Sequence, residues 1–356
     1  MKLIIQIPCF NEEKTLPQTV ADFPKKIPGI DEIETLVIND GSTDNTEQVA
    51  RNLGINHIIS FTSNRGLAHV FITGINKCLE LGADIIVNTD ADNQYCGEDI
   101  EKLVKPILNN KADIVIGDRQ IETIPHFSFL KKQLQKIGSW VIRIISRTQV
   151  TDVTSGFRAF SREAAIQINV FSSFTYTLET IIQAGNKNLT VRSVKVRTNP
   201  KTRDSRLFRS IPGYIKKSLL TIIRVATIYR PFRIFTILGI IVFSSGLILG
   251  LRYIINIFIL HHAGRTYMQS VVLSGILLLM GVLIILIGFL ADLISVNRNL
   301  SEDILQRVKK LEYKFNKANQ HDWTKSSAAT PEHKNRDAMP SYYRSSIFTI
   351  NSGKGK

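Results

Sequence analysis

The stretch Asp84-Ile85-Ile86-Val87-Asn88-Thr89-Asp90-Ala91-Asp92 places two carboxylates one residue apart at the end of an apolar run. In an extended segment alternate side chains point to the same side, so Asp90 and Asp92 can converge on one cation. Such oxygen ligands suit Mg²⁺ or Mn²⁺, which usually keep part of their coordination shell for water and substrate phosphates. The stretch therefore predicts a buried strand that ends in a metal site for a nucleotide diphosphate. The alternative is a polar strand end that binds no ligand.

Short apolar runs alternate with helical patterns on both sides of this stretch. The runs that predict strands are Leu3–Ile7, Glu34–Ile38, His57–Phe61, Asp84–Asn88 and Asp113–Ile116. The segments that predict helices are Thr15–Phe23, Thr43–Leu53, Gly66–Leu81 and Glu98–Asn109. Several strands are apolar on both faces, as in a sheet that helices cover on both sides. The pattern predicts an α/β fold with a doubly wound, mostly parallel sheet.

Polar motifs follow three of the predicted strands, at the edge where such sheets bind ligands. They are Pro8-Cys9-Phe10-Asn11-Glu12, Asn39-Asp40-Gly41-Ser42-Thr43-Asp44 and the Asp90-Ala91-Asp92 stretch. The first strand is not followed by G-x-G-x-x-G, and the chain has no G-x-x-x-x-G-K-[ST], which argues against a dinucleotide dehydrogenase and a P-loop NTPase. Phosphate binding therefore falls to a metal ion and to side chains.

Two long apolar segments, 234–260 and 269–291, lie toward the C-terminus of the 356-residue chain. About 20 apolar helical residues cross the hydrocarbon core of a bilayer, so the two segments predict membrane spans. The predicted organisation is a large α/β domain at 1–210, an amphipathic juxtamembrane helix at 211–232, two transmembrane helices within 233–296, a cytoplasmic helix at 297–318 and a disordered basic tail at 319–356.

The formal net charge of +15 is concentrated beside the predicted spans. Basic residues cluster between Lys201 and Arg233 and again after the second span, whereas the loop 261–267 has only Arg265. The positive-inside rule therefore predicts that the N-terminal domain and the tail are both cytoplasmic. Such a basic zone also favours anionic head groups of the lipid bilayer. The chain has no nucleic-acid-binding motif, so nucleic acid is not predicted as a partner.

Four motifs together resemble family 2 glycosyltransferases, and most closely their dolichyl-phosphate mannosyltransferase and polyprenyl-phosphate glycosyltransferase branch. In order along the chain they are Ile7-Pro8-Cys9-Phe10-Asn11-Glu12-Glu13, Asn39-Asp40-Gly41-Ser42-Thr43-Asp44, Asp90-Ala91-Asp92-Asn93-Gln94 and Asp152-Val153-Thr154-Ser155-Gly156-Phe157-Arg158. The resemblance covers residues 1–210, and the paired C-terminal spans extend it to about residue 295. It implies a GT-A fold of the nucleotide-diphospho-sugar transferase type.

The resemblance also implies roles for individual residues. Those implied to bind the nucleotide are Pro8, Phe10, Glu12, Asp40 and Asp90. Those implied to hold Mg²⁺ or Mn²⁺ are Asp90, Asp92 and Gln94. Those implied to be catalytic are Asp152, Arg119 and Asp92. Those implied to meet the acceptor phosphate are Arg119, Lys131, Lys132, Arg203 and Arg206. Arg158 would close the acceptor segment, or would pair with Asp152 in a structural role.

The implied function is inverting transfer of a single sugar from a nucleotide-diphosphate sugar to a membrane polyprenyl phosphate, undecaprenyl or dolichyl. A UDP-sugar is favoured over GDP-mannose as the donor, and a homo-oligomer is left open. A phosphate acceptor is already largely anionic at neutral pH, so Asp152 is expected to orient the acceptor or the metal shell rather than abstract a proton. The alternatives are a processive polysaccharide synthase, for which the Q-x-x-R-W motif is missing, and a non-catalytic membrane scaffold for glycan assembly.

Overall fold

A single mixed sheet organises the N-terminal domain. The computed structural model describes residues 1–120, 138–140, 142–144, 146–170, 176–199, 227, 231–256 and 268–328. Within these residues the strands are β1 Lys2–Cys9, β2 Glu32–Asn39, β3 His57–Ser60, β4 Ile85–Asn88, β5 Ile114–Asp118, β6 Arg158–Ser161 and β7 Val191–Lys195. They lie in the order β3-β2-β1-β4-β6-β5-β7, and all neighbours are parallel except where β6 pairs with β4 and β5.

Helices cover both faces of this sheet. They are α1 Leu16–Ala21, α2 Thr46–Asn52, α3 Leu67–Glu80, α4 Ile100–Leu108, α5 Arg162–Gln167 and α6 Thr177–Asn186, with a 3₁₀ turn at Gly97–Asp99 before α4. Alternate residues of β1 enter different cores, since Ile4 packs with α3 on one face and Leu3 and Ile5 pack with α4 on the other. Burial on both faces explains why the interior of β1 is apolar on both faces except at Gln6.

The predicted doubly wound, mostly parallel sheet is confirmed. The five predicted strands and four predicted helices all form, with ends shifted by a few residues. Sequence reasoning missed β6, β7, α5 and α6. The four residues of β6, Arg-Ala-Phe-Ser, carry one large apolar side chain, so no apolar run marks the strand. Their position is set by pairing, with Asn88 of β4 opposite Arg158 of β6.

Two long apolar helices follow, α7 Pro231–Ile254 and α8 Met268–Ala328. Each contains an 18-residue window hydrophobic enough to cross a membrane, with mean hydropathy 2.4 in α7 and 3.0 in α8. The helices pack closely where glycines remove a side chain, because a Cβ on Gly239 would lie 2.6 Å from Ile285 and one on Gly281 would lie 2.7 Å from Phe243. The remaining apolar surface is largely exposed, as expected of helices that contact lipid.

Helix α8 differs from the predicted organisation. It runs without interruption from the second apolar segment through the predicted helix 297–318 and as far as Ala328, inside the segment predicted to be disordered. No Gly or Pro occurs between Gly288 and Pro331, so the sequence contains no residue that would end the helix earlier. Two predicted segments lie outside the described residues. They are the helix 211–232, except for residues 227, 231 and 232, and the tail beyond residue 328.

Candidate functional site

Three neighbouring strands bring their polar motifs to one edge of the sheet. The backbone N–H of Asp40, just after β2, donates to the Cys9 carbonyl at 2.8 Å, and that of Thr89, just after β4, donates to the Gln6 carbonyl at 3.1 Å. These bonds continue the ladder past the strand ends. Asp40, Asp90 and the residues after β1 are therefore neighbours, as the sequence predicts for carboxyl ends of adjacent parallel strands.

Asp90 and Asp92 form a concentrated negative charge at this edge. Burial and the charge of Asp92 raise the pKa of Asp90 to about 7, and Glu12 adds to the effect while Arg119 opposes it. Asp92 Oδ1 accepts a hydrogen bond from the backbone N–H of Gln94 at 3.1 Å, across a turn in which Asn93 has φ 55°. Two carboxylates that repel one another in a half-buried position are the donor set that a divalent cation stabilises.

Asp90 and Asp92 would supply only part of a metal coordination shell. Within the described residues no third His, Cys, Asp or Glu joins them in a metal-binding group. That arrangement fits Mg²⁺ or Mn²⁺, which can complete its shell with water and phosphate oxygens. Gln94 lies beside the pair through its backbone, and its role as a metal ligand stays a prediction.

A buried polar layer lies beneath the two carboxylates. Gln6 Nε2 donates to Asn88 Oδ1 at 2.8 Å, and Asn88 Nδ2 donates to the Gly156 carbonyl at 2.8 Å and to the Tyr176 hydroxyl at 3.0 Å. Gln6 and Asn88 are fully buried, so leaving any of these groups unpaired would be costly. The layer therefore fixes the segment around Gly156 against β4.

Gly156 packs directly against Asp90. A Cβ at this position would lie 2.8 Å from Asp90 Oδ2 and 3.0 Å from the Tyr176 hydroxyl. The Gly156 backbone N–H also donates to the Tyr95 hydroxyl at 3.1 Å. The Asp152–Arg158 motif, read from the sequence as the acceptor segment, is thus in contact with the carboxylate that follows β4.

Arg119 and Asp152 form a buried, bidentate ion pair. Arg119 Nε and Nη2 donate to the two Asp152 oxygens at 2.7 and 3.0 Å, and Nη2 also donates to Thr154 Oγ1 at 2.7 Å. Burial by itself would raise the pKa of Asp152, but the charge and hydrogen bonds of Arg119 outweigh it and lower that pKa. Asp152 is therefore an ionised carboxylate that is already hydrogen-bonded, which makes it a poor proton acceptor.

Arg158 does not pair with Asp152, so that interpretation is wrong. Its fully buried guanidinium donates to the carbonyls of Val153, Ser155 and Thr177 and to Thr180 Oγ1, at 2.6 to 2.9 Å. Burial lowers the pKa of Arg158 to about 10. Arg158 therefore connects the Asp152–Arg158 motif to the start of α6. The partner of Asp152 is Arg119.

The residues implied to bind the nucleotide surround the same edge. Asp40 accepts backbone hydrogen bonds from Arg65 at 2.7 Å and Gly66 at 3.0 Å, which fixes the start of α3. Glu12 is buried and accepts from Thr15 Oγ1 at 2.7 Å, while Phe10 is 38% exposed. Pro8 is buried within β1. Their nucleotide-binding roles stay predictions.

Sequence reasoning missed a clamp that joins residues 197–199 to the loop after Asp92. Asn199 donates from its backbone to the Gln94 carbonyl at 2.9 Å and from Nδ2 to the Asn93 carbonyl at 3.1 Å. Arg197 Nε donates to Asp99 at 3.0 Å. No sequence motif predicts this contact. The buried polar layer is different, because the polar residues Gln6 and Asn88 inside apolar strands could have indicated it from the sequence.

Four of the predicted acceptor-phosphate residues, Lys131, Lys132, Arg203 and Arg206, lie outside the described residues. Their roles at the acceptor phosphate stay predictions.

Comparison with known proteins identifies a family and individual relatives. Residues 4–168 match the family described as glycosyl transferase family 2. A UDP-N-acetylglucosamine–dolichyl-phosphate N-acetylglucosaminyltransferase from Methanococcus voltae is 30% identical over 220 residues, covering 54% of this chain and 83% of that protein. A prophage bactoprenol glucosyl transferase homolog from Escherichia coli K12 is 27% identical over 329 residues, covering 87% of this chain and 100% of that protein.

Among solved structures, glucosyl-3-phosphoglycerate synthase from Mycobacterium tuberculosis, in complex with Mn²⁺, UDP-glucose and phosphoglyceric acid, superposes with a TM-score of 0.49. The sequence identity is 18%, and the superposition covers 62% of this chain and 79% of that one.

Proposed function

The chain belongs to glycosyl transferase family 2, and from that premise we propose that it transfers a single sugar from a nucleotide-diphosphate sugar to a polyprenyl phosphate in the membrane. The observation that carries the proposal is the Asp90–Asp92 pair at the sheet edge, with the Arg119–Asp152 pair nearby, in a chain that also has two apolar helices long enough to span a bilayer. The relatives named for dolichyl phosphate and bactoprenol support the acceptor class.

The donor would bind at the carboxyl ends of β1, β2 and β4. Asp90 and Asp92 would hold Mg²⁺ or Mn²⁺, and such an ion neutralises negative charge on a departing diphosphate. Phe10 and Glu12 would border the nucleoside, while Asp40 would act through the loop at Arg65 and Gly66 that its carboxylate holds. A UDP-sugar is the favoured donor, supported by the UDP-sugar in the name of the Methanococcus voltae relative.

The acceptor would be positioned by charge and would need no general base. A phosphate monoester has a second pKa of about 6, so its oxygen is largely ionised at neutral pH. Asp152 is held by two hydrogen bonds from Arg119 and would keep that guanidinium oriented beside the acceptor. Attack of a phosphate oxygen on the anomeric carbon, from the face opposite the leaving diphosphate, forms one glycosidic bond, breaks one and inverts the anomeric centre.

The transfer reaction is the direct test of the proposed function. The full-length protein would be reconstituted in liposomes with undecaprenyl or dolichyl phosphate and a panel of UDP- and GDP-sugars, and the lipids would be analysed by mass spectrometry. We expect one hexose or N-acetylhexosamine per lipid, loss of transfer in EDTA and recovery with Mg²⁺ or Mn²⁺. Full transfer in EDTA would contradict the metal role, and products with several sugars would favour a processive synthase.

The orientation in the membrane is also part of the proposal. The catalytic domain and the C-terminal tail would both lie in the cytoplasm, supported by the scarcity of basic residues in loop 261–267. A cysteine that replaces Arg265 is expected to react with a membrane-impermeant maleimide only from the non-cytoplasmic side. A cysteine at the exposed residue Asn188 should react only from the cytoplasmic side. Labelling of both sites from the same side would contradict a two-span topology.

The pH dependence of transfer should distinguish an orienting Asp152 from a proton-abstracting one. Because its pKa is lowered, Asp152 stays ionised throughout the neutral range and titrates only in stronger acid. At saturating Mn²⁺ we therefore expect transfer to fall below about pH 6 with protonation of the acceptor phosphate. Asp152→Asn should lower the rate without moving this acid limb. An acid limb that disappears in Asp152→Asn would identify Asp152 as the general base.

A further inference from the structure

The part of α8 that follows the second membrane span packs against the N-terminal domain. We call residues 298–310 the post-span segment. Its Glu302 pairs with Lys187 at 3.2 Å, at the end of α6, and Lys309 Nζ donates to Asn169 Oδ1 at 2.8 Å. An ion pair between Lys310 and Glu163 of α5, at 3.0 Å, lies at the surface. The post-span segment therefore contacts α5, α6 and the loop between them.

The centre of this contact is ionic and buried. Glu302 is 4% exposed and Glu179 of α6 is 5% exposed. Arg298 lies between them, with Nε 3.0 Å from Glu302 and Nη2 3.7 Å from Glu179. Buried charges are tolerated only when they are paired, so the two carboxylates require Arg298 and Lys187 in these places. Such a network specifies one register between α6 and α8 where an apolar contact would permit several.

Helix α6 connects this contact to the metal site. Glu179 in α6 and Lys187 just after its end contact α8, through Arg298 and Glu302. In the first turn of α6, Thr180 Oγ1 and the Thr177 carbonyl accept hydrogen bonds from Arg158 at 2.6 and 2.8 Å. The preceding residue, Tyr176, accepts from Asn88, two residues before Asp90. One helix, α6, is thus linked both to the post-span segment and to the residues that support Asp90.

We infer that the post-span segment is a positioning element, which holds the Asp90–Asp92 site in a fixed place relative to the bilayer through α6. The inference rests on the proposed function, because a lipid acceptor confined to the membrane is what makes such a position matter. The segment is about 18 Å long and begins where the apolar stretch of α8 ends, so a domain docked on it lies close to the membrane surface. Arg298, Glu302, Lys187 and Glu179 act as positioning residues and touch no substrate.

The decisive variant is Glu302→Lys in the full-length protein, which places a cation between Arg298 and Lys187. We expect transfer to long-chain polyprenyl phosphate in liposomes to fall about tenfold or more, because the domain loses its fixed position. Transfer to a short, water-soluble prenyl phosphate and the affinity for UDP with Mn²⁺ should stay within about twofold of wild type. Adding Lys187→Glu should restore an opposite-charge pair and recover most of the lipid transfer. The matched control is Lys310→Ala, which removes an ion pair whose two side chains, Lys310 and Glu163, are 42% and 60% exposed, and it should change neither activity.

A distance measurement tests the docking without any acceptor. Spin labels at Asn186, at the end of α6, and at Arg307, on α8, should give a narrow distance distribution in wild type and in Lys310→Ala. Glu302→Lys should broaden it. An unchanged distance distribution in Glu302→Lys would overturn the inference. So would a Glu302→Lys variant that loses sugar transfer equally with both acceptors, or that loses it with neither. If the wild-type protein transfers sugar to neither acceptor, the proposed function is contradicted. The distance distributions alone would then show whether the post-span segment is docked on α6.

Discussion

Asp90→Asn is expected to reduce sugar transfer about 10²–10³-fold while leaving the protein folded. The carboxylate would be a metal ligand, and a metal that stabilises a leaving diphosphate is worth several kcal/mol in the transition state. The fold should not suffer, because burial and Asp92 already disfavour the charged form of Asp90, whose pKa is raised to about 7. Removing that charge relieves repulsion within the pair. We therefore expect Tm to be unchanged or slightly higher, together with a loss of Mn²⁺-dependent UDP binding in calorimetry.

The control for this variant is Asp22→Asn, which neutralises an exposed carboxylate at the end of α1. It should leave transfer and Mn²⁺-dependent binding within about twofold of wild type, as most exposed substitutions do. A large fall in Tm for Asp90→Asn would show that the carboxylate stabilises the fold, and retained Mn²⁺-dependent binding would show that the metal is held elsewhere. Either result would remove the basis for assigning this site to the donor.

Gly156→Ala should impair metal binding without altering any charged residue. The new Cβ would lie 2.8 Å from Asp90 Oδ2, so the carboxylate must move to accommodate it. Displacements of about 1 Å in a catalytic geometry can cost on the order of 100-fold in rate, and we expect a loss of that size in transfer. Calorimetry should show weaker binding of UDP with Mn²⁺. The loss in Tm should be small, because the atom nearest to the new Cβ is the end of the Asp90 side chain, at the rim of the sheet.

Gly138→Ala is the matched control, since a Cβ at Gly138 meets nothing within 4 Å. It should leave both transfer and metal affinity unchanged. If Gly156→Ala binds UDP and Mn²⁺ as wild type does and keeps its activity, Asp90 has room to move and the contact with Gly156 does not hold it in place. The acceptor segment would then be independent of the metal site.

The local pattern of the sequence was sufficient for the first five strands of the sheet. The strands β1 to β5 are apolar runs separated by helical periods, and they occur within a few residues of their predicted bounds. Strand β6 was missed for a physical reason. Its fully buried Arg158 and its short length resemble a loop, and it becomes a strand only because β4 and β5 present unpaired edges on either side of it.

The candidate site shows the same division. Asp90, Asp92 and Asp152 were recognisable from motifs, and the positions of Asp90 and Asp92 at the sheet edge follow from the predicted topology. The partner of Asp152 was not recognisable, because Arg119 and Arg158 are both arginines near it in the fold and only packing selects between them. Arg158 is drawn into the interior by carbonyl oxygens of its own loop and α6, which leaves Arg119 to form the ion pair.

The sequence by itself determined the properties that depend on short-range patterns. These are the alternation of strands and helices, the two long apolar segments and the carboxylate pair that follows β4. Only the tertiary structure decided which distant groups share a contact, because such contacts join residues far apart in the chain. Gly156 lies against Asp90 because Asn88 and Tyr176 hold its backbone. Glu302 meets Lys187 because α8 continues unbroken past its apolar stretch and packs on α6. Burial and electrostatics at these contacts have no signature in local composition, since each depends on side chains that only folding brings together.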